Sequence, residues 1–311
     1  QIILQGPMVT TTQSTIFSQS CTNNDNINAT FDDQGSAIVC AATITGDVIP
    51  ATPLSVFNTL NPNGDWLVAI RDLAAAHSLL ANHLGIETIK VLIGGSLGGQ
   101  QALEWSLAKT QTIENLILVA TNAAHSPWGI AFNESQRMAI AADPTWIERH
   151  PKAGMNGMKV ARSIALLSYR NYATYGRTQS RDEGQVDFFR ANTYQNYQGE
   201  KLGKRFNAFS YYRLSTMMDS QDVGRNRGGV VAALKYIKSK TLVIGIKSDA
   251  LFPIVEQEFL AKHIPDASFQ VIDSLYGHDG FLIESGLMTK AIRLWQKLLR
   301  LEVNPMADFF K

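Results

Sequence analysis

The chain has 311 residues, enough for one large α/β domain or for a core with an insertion. Its formal net charge of +1 leaves no electrostatic footprint for nucleic acid or an anionic membrane, and no apolar stretch approaches the ~20 residues that span a bilayer. Apolar residues make up 45% and charged ones 18%; against a usual charged share of roughly 25%, this implies much surface buried inside the fold or between subunits. The first residues lack the basic segment and apolar run of a secretory signal. Cys21 and Cys40 are too few for a disulfide scaffold or a cysteine metal site, which points to a reduced, cytoplasmic setting with no bound metal or cofactor.

Residues 9–30 are rich in Thr, Ser, Asn and Gln and read as loop. The sequon Asn28-Ala29-Thr30 is short enough to be accidental. A short strand is expected at Ser36–Ala42. From Leu67 to Leu84 the apolar positions Ile70, Leu73, Ala74, His77, Leu80, Ala81 and Leu84 recur at helical spacing, with His77 packed in the core and Gly85 as the stop. Strands are expected at Ile89–Ile93, Ile113–Ala120, Thr241–Ile246 and Phe269–Ile272, and helices at Gln100–Lys109, Ile254–His263 and Leu287–Leu299. Near-continuous apolar strands alternating with helices argue for a parallel sheet covered on both faces. Between Ser126 and Gly229 the texture is helical instead, as at Asn133–Ala142, Gly157–Tyr172 and Phe206–Met218. The organisation read here is a core of residues 1–125 and 230–311 carrying a helical cap at 126–229.

The chemistry begins at Gly94-Gly95-Ser96-Leu97-Gly98, a G-x-S-x-G motif between an apolar strand and a helix. Such a turn holds serine in strained backbone geometry, needs neighbours without side chains, and exposes the hydroxyl beside a helix N-terminus. The free N–H groups there, Leu97 first, can stabilise an oxyanion. A serine hydroxyl is a weak nucleophile and needs a base, which in turn needs a group to fix its tautomer. In α/β-hydrolase proteins these follow the serine as acid, then histidine. His83 and His263 lie within helices, and His125 and His150 precede or begin the cap. His278 follows the last strand in Leu275-Tyr276-Gly277-His278-Asp279-Gly280, where glycines allow a sharp turn back across the sheet edge. For the acid, Asp249 lies just beyond strand Thr241–Ile246. Asp266 and Asp273 are alternatives, the first reading as a turn residue and the second as a strand-end cap.

Several longer stretches are more specific. Gly94–Gly99 with Gln101-Ala102-Leu103-Glu104-Trp105 resembles the elbow of the homoserine O-acetyltransferase family. Ile70-Arg71-Asp72, His83-Leu84-Gly85-Ile86-Glu87 and the run Ser126–Glu134 are similar to that family too, as are Ala161–Tyr169 and Tyr276–Phe281. The likeness runs from about Ile70 to the last helix. It implies an α/β-hydrolase core, a helical cap that also forms a homodimer contact, and acetyl transfer from acetyl-CoA to the hydroxyl of L-homoserine, the committing step toward methionine. The mechanism implied is ping-pong through an acetyl-serine, with the oxyanion held by the Leu97 N–H and a second N–H from a loop after an early strand. Arg162 and Tyr169 stand seven positions apart on one helix and so share a face; Arg162 can pair bidentately with a carboxylate. By residue type alone, Arg162 equally suits the exposed face of an amphipathic helix. The resemblance implies that Asp279 holds the α-ammonium; without it, Asp279 reads as a solvated loop carboxylate. Residues 1–65 depart from the family, which has longer N-terminal strands, a His-x-Leu-Thr-Gly-type oxyanion loop and a Gly/Ser/Pro-rich loop. Two other classes remain open. A serine ester hydrolase would use the triad without needing Arg162 or Asp279, and a non-catalytic binding protein would need none of them. Succinyl transfer and serine as acceptor are further alternatives within the resemblance.

Overall fold

A computed structural model describes residues 70–148 and 150–298, with four strand segments ahead of them. These are β1 (Ile2–Gln5), β2 (Gln13–Phe17), β3 (Asn26–Ser36) and β4 (Thr43–Val48). β1 pairs antiparallel with β2, and β3 parallel with β4. The tract 9–30 therefore holds strand where loop is expected, because Thr15, Ile16, Phe17 and Ile27 suit a pleated pair despite their polar neighbours. The strand expected at Ser36–Ala42 lies outside the described residues beyond Ser36, as do Cys21 and Cys40.

Four parallel strands form the main sheet in the order β5 (Thr88–Gly95), β6 (Thr112–Val119), β7 (Lys240–Ile246), β8 (Ala267–Ile272). The central pair, β6 and β7, is apolar almost throughout because helices cover both faces. Alternation along each strand sorts the side chains. Leu116, Leu118 and Val243 pack with Leu103 of α2 (Leu97–Ala108), Leu234 of α8 (Val230–Leu234) and Leu260 of α9 (Ile254–His263). Ile117, Val119, Leu242 and Ile244 pack on Met288, Ile292 and Trp295 of α11 (Ser285–Leu298). The register Gly95↔Val119, Val119↔Ile244 and Ile246↔Ile272 brings the carboxyl ends of all four strands to one edge. In open α/β sheets that edge is where ligands bind.

α1 (Ile70–His83) is helical as its spacing requires, but it buries only part of the expected stripe. Ala74, Ser78 and Ala81 are buried, whereas Leu80 and Leu84 are 56% and 61% exposed. Small side chains on that face let α1 approach α2 closely, and the Ser78 and Thr110 hydroxyls lie 2.7 Å apart there. His77 is correspondingly not a core residue; it is exposed and stacks on Trp105.

Between β6 and β7 the described chain contains no strand, only helices. They are α3 (Pro127–Ala141), α4 (Met155–Tyr169), α5 (Tyr172–Thr178), α6 (Arg190–Gly203) and α7 (Ala208–Asp219), with α8 returning to the core. α3 starts earlier than its apolar periodicity suggests, because Ser126 caps it by accepting from Gly129 N–H and Pro127 occupies the first turn. Ile140, Met158, Ala161, Leu202 and Ala208 give this layer a core of its own. Its two ends meet where Ala124 bridges Asp222, with His125 N–H donating to the Gln221 carbonyl at 2.9 Å. Among the described residues no helix is long and apolar enough to cross a membrane.

Candidate active site

Ser96 sits between β5 and α2 with φ 54° and ψ −124°. For a non-glycine residue this costs about 1–3 kcal/mol, a strain that concentrates at functional turns. Its backbone is held firmly: Ser96 N–H donates to the Val119 carbonyl at 2.9 Å, and the Thr121 hydroxyl donates to the Ser96 carbonyl at 2.8 Å. The surrounding glycines are needed unequally. A Cβ on Gly94 would strike the Gly98 carbonyl, one on Gly95 would lie 2.8 Å from the Phe281 ring, and one on Gly99 would lie 2.6 Å from Thr121. At Gly98 a Cβ would meet nothing within 4 Å among the described residues, so steric need does not explain that position. α2 opens directly at Leu97, three residues before the helix expected at Gln100. Its first N–H groups therefore have no acceptor within the helix.

The three side chains singled out for catalysis stand in a hydrogen-bonded line. Ser96 Oγ lies 2.9 Å from His278 Nε2, and His278 Nδ1 lies 2.7 Å from Asp249 Oδ2. They come from the ends of β5, β8 and β7, all at the carboxyl edge of the sheet. Asp249 Oδ1 accepts the backbone N–H groups of Leu251 and Phe252, each at 2.9 Å. A carboxylate so placed accepts a hydrogen bond from Nδ1–H and keeps the proton on that nitrogen, which leaves the Nε2 lone pair to accept the serine proton. His278 is buried among rings: Phe252 stacks on it at 5.1 Å, Phe281 meets it edge-on at 5.4 Å, and Tyr169 tilts over it at 5.7 Å. Asp266 is exposed, and Asp273 is exposed and paired with Lys247, so neither reaches the imidazole.

Arg162 and Tyr169 do share one face of α4, with the guanidinium 5.4 Å from the phenol ring centre. Among the described residues Arg162 has no carboxylate within ion-pair distance. Burial pushes the Tyr169 phenol above its ordinary pKa, Arg162 opposes that rise and Asp279 adds to it. The Tyr211 phenol, on α7, is raised by burial and feels Tyr169 and Arg162 as well, and it donates to Gln136 Oε1 at 2.5 Å. Asp279 is not a solvated loop carboxylate. Its Oδ2 lies 3.0 Å from Arg170 Nε, and burial raises its pKa against the pull of Arg170, His278 and Arg162, with Asp249 adding to the rise.

Gly277 holds the histidine loop against the end of α4. Its φ is +62°, and a Cβ there would lie 2.8 Å from the Tyr169 carbonyl oxygen and 2.9 Å from the Arg170 carbonyl carbon. Gly277→Ala is expected to cost about 1–3 kcal/mol, because a strained backbone and a backbone clash coincide. A lowered denaturant midpoint at unchanged slope measures it; an unchanged midpoint excludes this packing.

Several features escape sequence reasoning. Phe252 serves through its backbone N–H on Asp249 and its ring on His278, and no motif marks it. Arg170 lies one residue beyond α4 with extended backbone (φ −108°, ψ −176°), so helical phase cannot place its side chain. Behind the elbow, Gln100 donates to Asn122, Asn122 to Glu256, and Asn133 and Arg137 to Asp219, a buried polar chain joining sheet and helical layer. The second oxyanion donor expected from an early loop lies outside the described residues. Among the described residues no group of three or more His, Cys, Asp or Glu side chains is arranged to hold a metal ion.

A parallel sheet covered on both faces, with a serine elbow at the end of β5, defines an α/β-hydrolase-fold protein, and the alpha/beta hydrolase fold family model matches residues 64–285. A homoserine O-acetyltransferase from Cyclobacterium marinum is 46% identical over 261 residues, covering 82% of this chain and 73% of that one. Another, from Chloroherpeton thalassium, is 40% identical over 236 residues, 74% of this chain and 62% of the relative. The chain belongs to the homoserine O-acetyltransferase family. In fold it is similar to the crystal structure of a homoserine O-acetyltransferase from Bacillus anthracis (TM-score 0.69, 17% identity, 90% of each chain). It is equally similar to that of the esterase E22 (TM-score 0.68, 17% identity, 88% of this chain and 89% of the other).

Proposed function

We propose that this protein moves an acetyl group from acetyl-CoA to the side-chain hydroxyl of L-homoserine by way of an acetyl-Ser96 intermediate. In the first half-reaction Ser96 Oγ attacks the thioester carbonyl while His278 Nε2 takes its proton. The C–S bond breaks, and the proton passes to the departing CoA sulfur. In the second, the homoserine hydroxyl attacks the acetyl ester, His278 accepts that proton, and the Ser96 oxygen leaves and recovers it. In each half the oxyanion is held by the Leu97 N–H at the start of α2. Asp249 fixes the tautomer throughout.

Transfer needs an acceptor held at high effective concentration and water kept away. The observation that carries this reading is the Arg162 guanidinium 5.4 Å from the Tyr169 ring that tilts over His278, with the Asp279 carboxylate next to His278 in the chain. Those charges complement the carboxylate and ammonium of an α-amino acid, and both act on the Tyr169 phenol. The rings of Phe252, Phe281 and Tyr169 around His278 limit water. In this reading residues 126–229 act as a cap over the site, and the exposed Tyr172, Val186 and Phe188 supply apolar surface for a homodimer contact. The same reading places the reaction on the route to methionine in the cytoplasm, with no resident cofactor beyond the CoA substrate.

Acetyl-CoA with and without homoserine tests it. Thiol release that depends on homoserine, with O-acetylhomoserine identified by mass, supports transfer. Equal release as free acetate in the absence of homoserine instead supports the ester hydrolase, a reading favoured only by the fold shared with esterases. Succinyl-CoA and serine in parallel reactions settle donor and acceptor. Arg162→Ala is expected to raise the homoserine KM by about 10- to 100-fold, the worth of one charge-assisted pair. Acetylation of Ser96 should stay within about twofold, since binding of the acceptor alone is lost. An unchanged homoserine KM would remove Arg162 from the carboxylate site.

A further inference from the structure

Arg170 takes part in none of the steps above, yet it joins the end of α4 to the loop that carries His278. Its Nε lies 3.0 Å from Asp279 Oδ2, with the two side chains 21% and 19% exposed. Arg170 lines a small cavity together with Thr174, Tyr175 and Tyr194. The same two segments are fastened on either side of this pair. Gly277 lies against the Tyr169 and Arg170 backbone, and the Thr174 hydroxyl donates to the Leu275 carbonyl.

We propose that Arg170 is a positioning residue for the acceptor: its ion pair with Asp279 holds that carboxylate in place for the ammonium of an α-amino acid whose carboxylate Arg162 takes. The inference rests on the transfer reading above. Without Arg170, Asp279 keeps only the longer-range attraction of Arg162 and His278, and no ion pair fixes its orientation. An acceptor gripped at one end only would bring its hydroxyl to the acetyl group in fewer productive orientations. Arg170 also bears on the charge of Asp279. Arg170, His278 and Arg162 favour the carboxylate form, whereas burial and the nearby Asp249 oppose it. Loss of Arg170 therefore moves Asp279 toward protonation at a given pH, and an Asp279 without charge cannot hold an ammonium.

The experiment compares the full chain with Arg170→Gln and Arg170→Lys, following the two half-reactions separately. Acetyl-enzyme formation is read from thiol release and intact mass, and its decay is read against homoserine concentration across a pH series. Arg170→Gln should acetylate within about threefold of the wild type while its half-saturating homoserine concentration rises about tenfold or more, the loss of one fixed charged contact. The acid limb of its second half-reaction should move to higher pH. Arg170→Lys, which keeps the charge without the forked geometry, should recover part of both changes. Wild-type homoserine dependence and an unmoved acid limb in Arg170→Gln would overturn the inference. So would an equal loss in both half-reactions without recovery by lysine, which would make Arg170 a support for the loop. A wild-type enzyme that acetylates itself but transfers nothing to homoserine removes the transfer reading, and this inference with it. If Arg170→Gln fails to fold, Arg170→Lys alone carries the test: intermediate homoserine dependence with intact acetylation upholds the inference, and wild-type values in both halves overturn it.

Discussion

Ser96→Ala is expected to lower kcat by about 10⁴-fold or more with the fold retained, because no other group at the site can carry the acetyl. The hydroxyl is the one nucleophilic atom in line with His278 Nε2, at 2.9 Å. Its removal leaves an imidazole that can still activate a water or an acceptor but no hydroxyl at residue 96 to carry the acetyl group from donor to acceptor. Stability should change little. Alanine occupies the same strained backbone at φ 54°, and the bonds that pin the turn run through the backbone of residue 96, not its side chain. Two measurements check this: thiol release under saturating acetyl-CoA and homoserine, and intact mass after exposure to acetyl-CoA alone. The wild type should gain one acetyl and the variant none. An Ser96→Ala protein that still becomes acetylated would move the nucleophile elsewhere, and one that turns over without acetylation would replace the ping-pong route with direct transfer.

The core strands are legible because burial on both faces selects the apolar runs Leu116–Val119 and Leu242–Ile244. Ile113–Ala120 and Thr241–Ile246 stand within a residue of β6 and β7, and α9 spans Ile254–His263 as its spacing implies. α1 shows where the same logic fails. Its period is right, and Ala74 and Ala81 of the expected stripe are buried, but Leu80 and Leu84 of the same stripe are exposed and Ser78 is buried instead. Packing selects the small side chains, which allow close approach to α2. The line Ser96, His278, Asp249 can be read from motif and chain order. Its place just beyond strand Thr241–Ile246 favours Asp249 over Asp266 and Asp273, and it is Asp249 that lies 2.7 Å from His278. Arg170 was beyond reach. Its importance comes from a turn after the helix and from a loop that lies over 100 residues further on, and neither leaves a local pattern.

Asp249→Asn is expected to be nearly as damaging as loss of the serine, lowering kcat by about 10³- to 10⁴-fold although the amide has the carboxylate's shape. The cause is local hydrogen bonding. Asp249 Oδ1 accepts two backbone N–H groups, from Leu251 and Phe252, so an asparagine must turn its carbonyl oxygen to them. The opposite orientation would set the side-chain NH₂ against two donors in a buried pocket and leave them unsatisfied, at about 1–3 kcal/mol for each. With the oxygen so committed, the NH₂ faces His278 Nδ1. The imidazole can meet a donor there only by presenting its Nδ1 lone pair, which puts the proton on Nε2. A protonated Nε2 donates toward Ser96 Oγ and cannot accept from it, so both half-reactions lose their base. Geometry should be preserved while chemistry is lost, and acetyl-CoA should still bind with near wild-type affinity. The check is the rate of acetyl-enzyme formation at saturating acetyl-CoA, set beside the unfolding midpoint. A loss smaller than about tenfold would mean that the tautomer is set by some group other than Asp249.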